Sequence, residues 1–348
     1  MSKPERVTIR DVARRAQVSH QTVSRVINGS QRVRPETRAR VEDAIEALGY
    51  QPYAIARFMA RGRTGTLACV APNLTDYTFA SIINGAEEEA RRHDYFLLSA
   101  SAGNEETFGA LMNELVASGR TEGVIVLNPY ADERHAHLPP SFPVVFAGAR
   151  PREEAVSSVA LADVEAARQA TTHLLSLGHR RIGMITGPMA EDCSQDRSQG
   201  YEQALAAAGL EVDPALIAPG TWLAPSGYEA FRKLFGLAIP PTAIFAQNDQ
   251  MAVGVLRAAR DAGLALPDDL SVIGVDDIPL AAYFSPPLTT LRQEFAEIGR
   301  QAARLLVKQV EADGESSRHQ HRRLPAELVI RRSTAPLPAL APAGDGAV

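Results

Sequence analysis

At 348 residues, with 45% apolar and 22% charged side chains, the chain has a globular composition and more length than one ordinary domain needs. Its apolar runs fall well short of the roughly 20 residues that span a bilayer, the opening stretch MSKPERVTIRDVARR lacks the apolar segment of a secretory signal, and Cys69 and Cys193 form no CxxC. Membrane, secreted and structural-zinc classes are not expected; a reducing cytoplasm is.

The net charge of −5 hides an asymmetry. Residues 1–64 hold thirteen Lys and Arg against six Asp and Glu, a net of +7, and the remainder carries −12. A basic head on an acidic body points to a polyanion-binding module joined to something else.

In the head, Ile9, Val12, Ala13 and Ala16 are spaced i, i+3, i+4, i+7 and predict one helical stripe. Thr8 is placed to cap it, with Asp11 suited to the positive helix end. Gln17-Val18 interrupts, Ser19 is a second N-cap, and Val23, Val26 and Ile27 form the next stripe, stopped by Asn28-Gly29-Ser30. A third helix starts near Pro35 and ends at Gly49. Three short helices with so brief a break predict a helix-turn-helix. Burying the second stripe turns His20, Gln21, Ser24 and Arg25 outward, where a major groove would read them: Arg pairs with guanine and Gln with adenine.

The segment VTIRDVARRAQVSHQTVSRVINGSQRVRPETRARVEDAIEALGYQP resembles the DNA-binding head of the LacI/GalR family of bacterial repressors. The motifs DVA, VS-x-x-TVSRV-x-N, V-x-x-x-TR and LGY-x-P carry the likeness over about 50 residues. The resemblance implies that His20, Gln21 and Arg25 reach bases, and that Thr8, Ser19, Thr22, Ser24 and Asn28 hold phosphates or neighbouring base edges. Residues 51–64, QPYAIARFMARGRT, are too short for a stable lone helix and read as a segment that folds on a partner. In the family this is the hinge helix, with Met59 in the position of the apolar minor-groove wedge and Tyr53 where Asn is common.

Beyond Thr64, apolar strand-like runs (67–72, 95–101, 123–128, 143–148, 181–187, 243–248, 270–276) alternate with helical stretches (79–93, 105–118, 164–177, 195–208, 226–236, 250–262, 294–312). That alternation predicts parallel sheets covered on both faces, and the length predicts two α/β subdomains. Ligands in such folds sit beyond the carboxyl ends of strands. Asn73, Asp76, Asp192, Gln195, Asp196, Arg197, Asn248, Asp249, Asp276 and Asp277 stand there, with Phe79 and Trp222 near in sequence. Such a set suits a polyhydroxylated ligand, although each polar residue alone also reads as a loop or helix cap, Asp249 as the cap of the helix from Gln250.

The resemblance continues to about residue 333 through GHRRIGMITGP, PTAIFAQNDQMAVGVLRAARDAGLALPDDLSVIGVDD and PPLTTLRQEFAEIGRQAARLL. It implies an α/β effector domain of periplasmic-binding-protein type, doubly wound in two parallel-sheet subdomains, in which Arg197, Asn248 and Asp276 hold ligand hydroxyls and Phe79, Trp222 and Gln293 line the cleft. Gly148 stands where many members carry an acid. The division expected is 1–50 for the helix-turn-helix domain, 51–64 for the hinge, 65–333 for effector binding and dimerisation, and 334–348 for a Pro/Ala/Gly-rich disordered tail without leucine heptads.

The phosphate-loop motif, G-x-G-x-x-G and G-x-S-x-G are absent, and no cofactor is expected. The His135/His137 and His319/His321 pairs lack acid or Cys partners at metal-ligand spacing, and His179 reads as structural. No catalytic residue is assigned. The expected function is that of a cytoplasmic homodimeric repressor, released from a pseudo-palindromic duplex operator by a small carbohydrate. A purine- or nucleoside-responsive regulator, a solute receptor without DNA function and a sugar-acting enzyme are the rival readings.

Overall fold

The computed structural model describes residues 7–27, 30, 32–50, 63–127, 133–139, 142–148, 150, 156–312 and 319–337. The chain divides into two compact units, Met1–Gly65 and Thr66–Val348.

In the first unit, helices α1 (Ile9–Ala16), α2 (His20–Ile27) and α3 (Pro35–Leu48) bury Val12, Ala13, Ala16, Val23, Val26, Val41 and Ala44 together. Val12, Ala13, Ala16, Val23 and Val26 belong to the two predicted stripes, and Val41 and Ala44 come from the third helix. α1 stops where Gln17 turns left-handed (φ 54°), and the N–H groups of Gln17 and Val18 close back on the carbonyls of Arg14 and Ala13. Ser19 starts α2 by accepting the Thr22 N–H at 3.1 Å. Pro35 opens α3, and Gly49 (φ 59°) closes it, with the Tyr50 N–H donating to the Ile45 carbonyl. Asn28, Tyr53 and Met59 lie outside the described residues.

The second unit contains two six-stranded sheets among its described residues. The first holds β1 (Thr66–Ala71), β2 (Phe96–Ser101), β3 (Val124–Leu127), β4 (Val144–Ala147), β5 (Ser157–Leu161) and β11 (His321–Leu324), in the order β11-β5-β4-β3-β1-β2, all parallel. The second holds β6 (Ile182–Thr186), β7 (Ile217–Pro219), β8 (Ala243–Ala246), β9 (Ser271–Asp276), β10 (Thr289–Arg292) and β12 (Glu327–Val329), in the order β12-β10-β9-β8-β6-β7, with only β12 antiparallel.

Helices cover both faces. Along β1, Leu67, Cys69 and Ala71 pack toward α4 (Tyr77–Arg92) and α10 (Phe295–Glu311), while Ala68 and Val70 pack toward α5 (Glu105–Ala117). In the second sheet, Met184, Phe245 and Val275 face α6 (Asp163–Ser176) and α7 (Asp192–Ala207), while Ile185, Ile244 and Val272 face α8 (Ala224–Phe235) and α9 (Asp249–Asp261). The chain passes between lobes at Leu161–Asp163, Arg292–Phe295 and Leu324–Glu327.

The paired helices touch backbone to backbone. A Cβ on Gly299 would lie 1.9 Å from the Ile82 carbonyl, and one on Gly85 1.9 Å from that of Ala296, so α4 and α10 admit only glycine at both positions. The α6–α7 and α8–α9 pairs use Gly200, Gly227 and Gly254 in the same way. Gly299→Ala is expected to cost about 1–3 kcal/mol by forcing these helices apart, whereas Gly103→Ala, whose nearest neighbour atom would be 3.8 Å away, should change stability by less than about 0.5 kcal/mol. Urea unfolding of the two variants beside the parent chain checks the contrast.

Strands β5, β7, β10, β11 and β12 were not among the predicted runs. They are short, and β7, β11 and β12 are edge or end strands that need no continuous apolar sequence. The expectation of disorder from residue 334 is corrected for its first residues. Thr334 Oγ1 pairs with His173 Nε2 at 3.0 Å, the Ala335 carbonyl lies 3.1 Å from His179 Nε2, and the Leu337 N–H donates to the Leu177 carbonyl at 2.8 Å. Residues 338–348 lie outside the described set. His179 is indeed structural: Thr242 and Ser271 bond its two ring nitrogens.

Candidate functional site

The first unit presents α2 with Val23 and Val26 buried and His20, Gln21 and Arg25 exposed; Thr22 and Ser24 are half-buried. The capping hydroxyls are partly committed. Ser19 Oγ and Thr22 Oγ1 pair at 2.9 Å. Thr8 donates to the Asp11 carboxylate from its hydroxyl (2.6 Å) and its N–H (2.9 Å), which holds that carboxylate below the usual range. The unit is thus a compact helical head with one polar helix face and an excess of positive charge, a geometry suited to duplex DNA.

In the second unit a cavity of about 250 Å³ lies where the carboxyl ends of strands from both lobes meet. Phe79, Arg197, Trp222, Asn248 and Asp276 line it, together with Asp76, Asp163 and Glu191. Arg197, 5% exposed, is fully employed: Nε donates to Asp163 Oδ1 at 2.7 Å, one terminal nitrogen to the Gln247 carbonyl, the other to Gln293 Oε1 at 3.4 Å. Its guanidinium also lies 5.7 Å from the Trp222 ring centroid. Burial opposes its charge, but Asp163 and Asp276 keep it protonated. Gln293 does not line the cavity; it stands behind Arg197 at a lobe crossing and donates to Asp163 Oδ1 at 3.4 Å.

Trp222 is held from three sides. Its backbone is left-handed (φ 69°), its carbonyl accepts from Asn248 Nδ2 at 3.0 Å, and its indole N–H donates to Glu191 Oε2 at 2.9 Å. Gly187, just after β6, leaves the space the indole fills, since a Cβ there would lie 2.1 Å from the ring. Asn248 is also the N-cap of α9, accepting the Met251 N–H at 2.8 Å. Asp249, the cap expected from sequence, is instead buried inside that first turn, accepting from Thr290 Oγ1 (2.5 Å) and the Ile278 N–H (2.9 Å). Burial pushes its carboxyl up to about 7.

Asp276, at the end of β9, is 7% exposed and has φ 117°. No donor among the described residues bonds its carboxylate, and burial pushes its pKa well up, against the pull of Arg197. Neighbouring Asp277 turns away to Arg292 (2.7 Å) and Arg331 (2.6 Å). Across the lobes, Arg150 after β4 donates from its N–H to Asp192 Oδ2 at 3.1 Å and from Nε to Asp196 Oδ1 at 2.9 Å. Asp163 and Glu191 were not singled out from sequence. Each follows a strand end by a few residues, which was the available signal, but β5 before Asp163 was itself unread.

A helix-turn-helix head and a two-lobed α/β body with a lined cavity between the lobes define a class, a DNA-binding regulator with an effector-binding domain. Residues 8–53 match the bacterial regulatory proteins of the lacI family, and residues 171–334 match the periplasmic binding protein-like domain. The HTH-type transcriptional repressor CytR of Escherichia coli (strain K12) is 37% identical over 336 residues, spanning 95% of this chain and 97% of CytR. A lac repressor dimer bound to operator and the anti-inducer ONPF matches with a TM-score of 0.86 at 28% identity, over 95% of this chain and all of that one. A complex of the transcriptional regulator CelR with cellobiose matches at 0.72 and 33% identity, over 94% and 100%. The chain belongs to the lacI family and is a DNA-binding transcriptional regulator with an effector-binding domain. Among its described residues, no helix is long and apolar enough to cross a membrane.

Proposed function

We propose that this protein is a cytoplasmic, homodimeric repressor that holds a pseudo-palindromic operator and leaves it when a small carbohydrate fills the body's cavity. The observation that carries the reading is the Asp276 carboxylate, which no described donor bonds, in the cavity wall with Trp222. Hydroxyls satisfy such a carboxylate, and an aromatic face covers the apolar side of a sugar ring. Within this reading His20, Gln21 and Arg25 meet base edges, and Ser19, Thr22 and Ser24 meet the phosphates. Asn28 and the Met59 wedge keep the roles the family resemblance gives them. The relatives named as repressors, the operator-bound dimer and the cellobiose complex support it.

Dimerisation is supported by exposed apolar side chains on both lobes: Phe96 and Leu98 on the edge strand β2, and Leu280 and Tyr283 in the second lobe. The cavity acts by binding rather than turnover. The one thiol among the described lining residues, Cys193, is pushed far up by burial.

Titration of the full chain with operator fragments, with and without sugars, tests the proposal; equal affinity for operator and random duplex at physiological salt refutes it. Arg25→Ala should cost about 1–3 kcal/mol on the specific site and little on random DNA. Equal weakening on both would reassign Arg25 to phosphate.

A further inference from the structure

Four carboxylates line the cavity, Asp76, Asp163, Glu191 and Asp276, and Arg197 is the one cation among the described lining residues. Arg197 is already paired with Asp163. Arg197 thus stands alone against four carboxylates: it draws Glu191 and Asp276 toward their charged forms, but neither of them nor Asp76 forms an ion pair among the described residues. Their existing bonds are weak compensation: Asp76 Oδ1 accepts the Thr78 N–H, Glu191 Oε2 accepts the Trp222 indole, and Asp276 accepts from no described donor. The groups sense one another. Burial is the main cause that raises Glu191 and Asp276, Arg197 opposes it in both, and Asp76 adds a smaller upward push to each. Asp76 belongs to the first lobe, Glu191 and Asp276 to the second. Bringing the lobes together thus crowds like charges in a place with little water to screen them.

From this we infer that the effector carries a nitrogen that donates hydrogen bonds, protonated or amino, on its hydroxylated ring, and that it carries no phosphate or carboxylate. Such a nitrogen lies between Asp76 on one side and Glu191 and Asp276 on the other, and it removes the repulsion that opposes closure. An anionic group would add to that repulsion, with no unpaired cation among the described lining residues to receive it. Glu191 is the specificity-determining residue: it meets the nitrogen while the Trp222 indole holds its other side. The inference rests on the effector reading above and narrows it. A regulator of this kind senses the unphosphorylated compound, ahead of any kinase that would consume it.

Isothermal titration of the full chain with matched sets tests this: glucose, glucosamine and glucose 6-phosphate; galactose, galactosamine and galactose 6-phosphate. In whichever set binds, the amine form should be tighter than the neutral form, and the phosphate form should give no measurable heat. A phosphate form binding as well as the neutral one, or an amine without advantage, overturns the inference but leaves the effector reading standing. No binding in any set overturns that reading and the inference with it. In Glu191→Gln, whose amide oxygen still accepts from Trp222, the ratio of amine to neutral affinity should shrink about tenfold; an unchanged ratio removes Glu191 from the role.

Discussion

Asp276→Asn should leave operator binding intact and abolish the response to effector. The substitution keeps the size of the side chain and its tolerance of the positive φ at the end of β9, but it removes the carboxylate that no described donor satisfies. A hydrogen bond to a charged group contributes about 1.5–3 kcal/mol against about 0.5–1.5 for a neutral acceptor, so removing the charge weakens effector binding roughly 5–10-fold for each hydroxyl that donates to it. Stability should move the other way. Burial raises the Asp276 pKa above its unfolded value, so the native state binds a proton more tightly than the unfolded state does. The ionised group therefore weakens the native state at neutral pH, and the penalty fades as pH falls toward the ordinary aspartate range. The variant lacks the penalty. It should be at least as stable as the parent at pH 7, and its advantage should vanish near pH 4. Paired urea melts at the two pH values, beside operator titration with and without effector, read both arms. An advantage that grows on acidification contradicts the assignment.

The second large effect is structural. Arg197→Met leaves Asp163, 7% exposed, with a long bond from Gln293 as its one remaining side-chain hydrogen bond among the described residues. Breaking a buried pair from one side typically costs about 3–5 kcal/mol, because a buried charge is left alone. Removing both members is far milder, so Arg197→Met with Asp163→Leu should recover most of the stability. It should not recover effector binding, because Arg197 also stands beside the Trp222 face that lines the cavity. Thermal unfolding of the two singles and the double, completed as a cycle, separates the roles. If the double variant is as unstable as Arg197→Met alone, the bonds to Gln247 and Gln293 matter more than the ion pair.

The head was legible almost residue by residue because its signals are local. Ser19, Pro35 and Gly49 act within one helical turn of themselves, and the stripes at Val12 and Val23 need no distant information. The body's helices were legible within a few residues for the same reason. The missed strands differ. HRRL of β11 has no apolar run, and its place depends on pairing with Ser158–Leu161, which lies 163 residues away at Ser158 and His321. The cavity divides along the same line. Arg197, Asn248 and Asp276 stand just beyond strands or on the helix that follows, a position readable from sequence. The commitment of Arg197 to Asp163 and the cross-chain hold of Gln293 span 34 and 130 residues. Side-chain partners at that range meet only in three dimensions, which is why Gln293 was expected in the cavity wall and stands behind it. The cap fell to Asn248 instead of Asp249 for a smaller reason. The helix begins one residue earlier than its periodicity suggested, and the cap moved with it.

Because glycine sets α4 against α10, α6 against α7 and α8 against α9 with no side chain between the backbones, neither lobe has slack to absorb a push. A change in the angle between the lobes would then be taken up where the chain crosses between them, at Ala162, Gln293–Glu294 and Pro325–Ala326. Substitutions at those pivots would alter how far the lobes swing without touching what they grip.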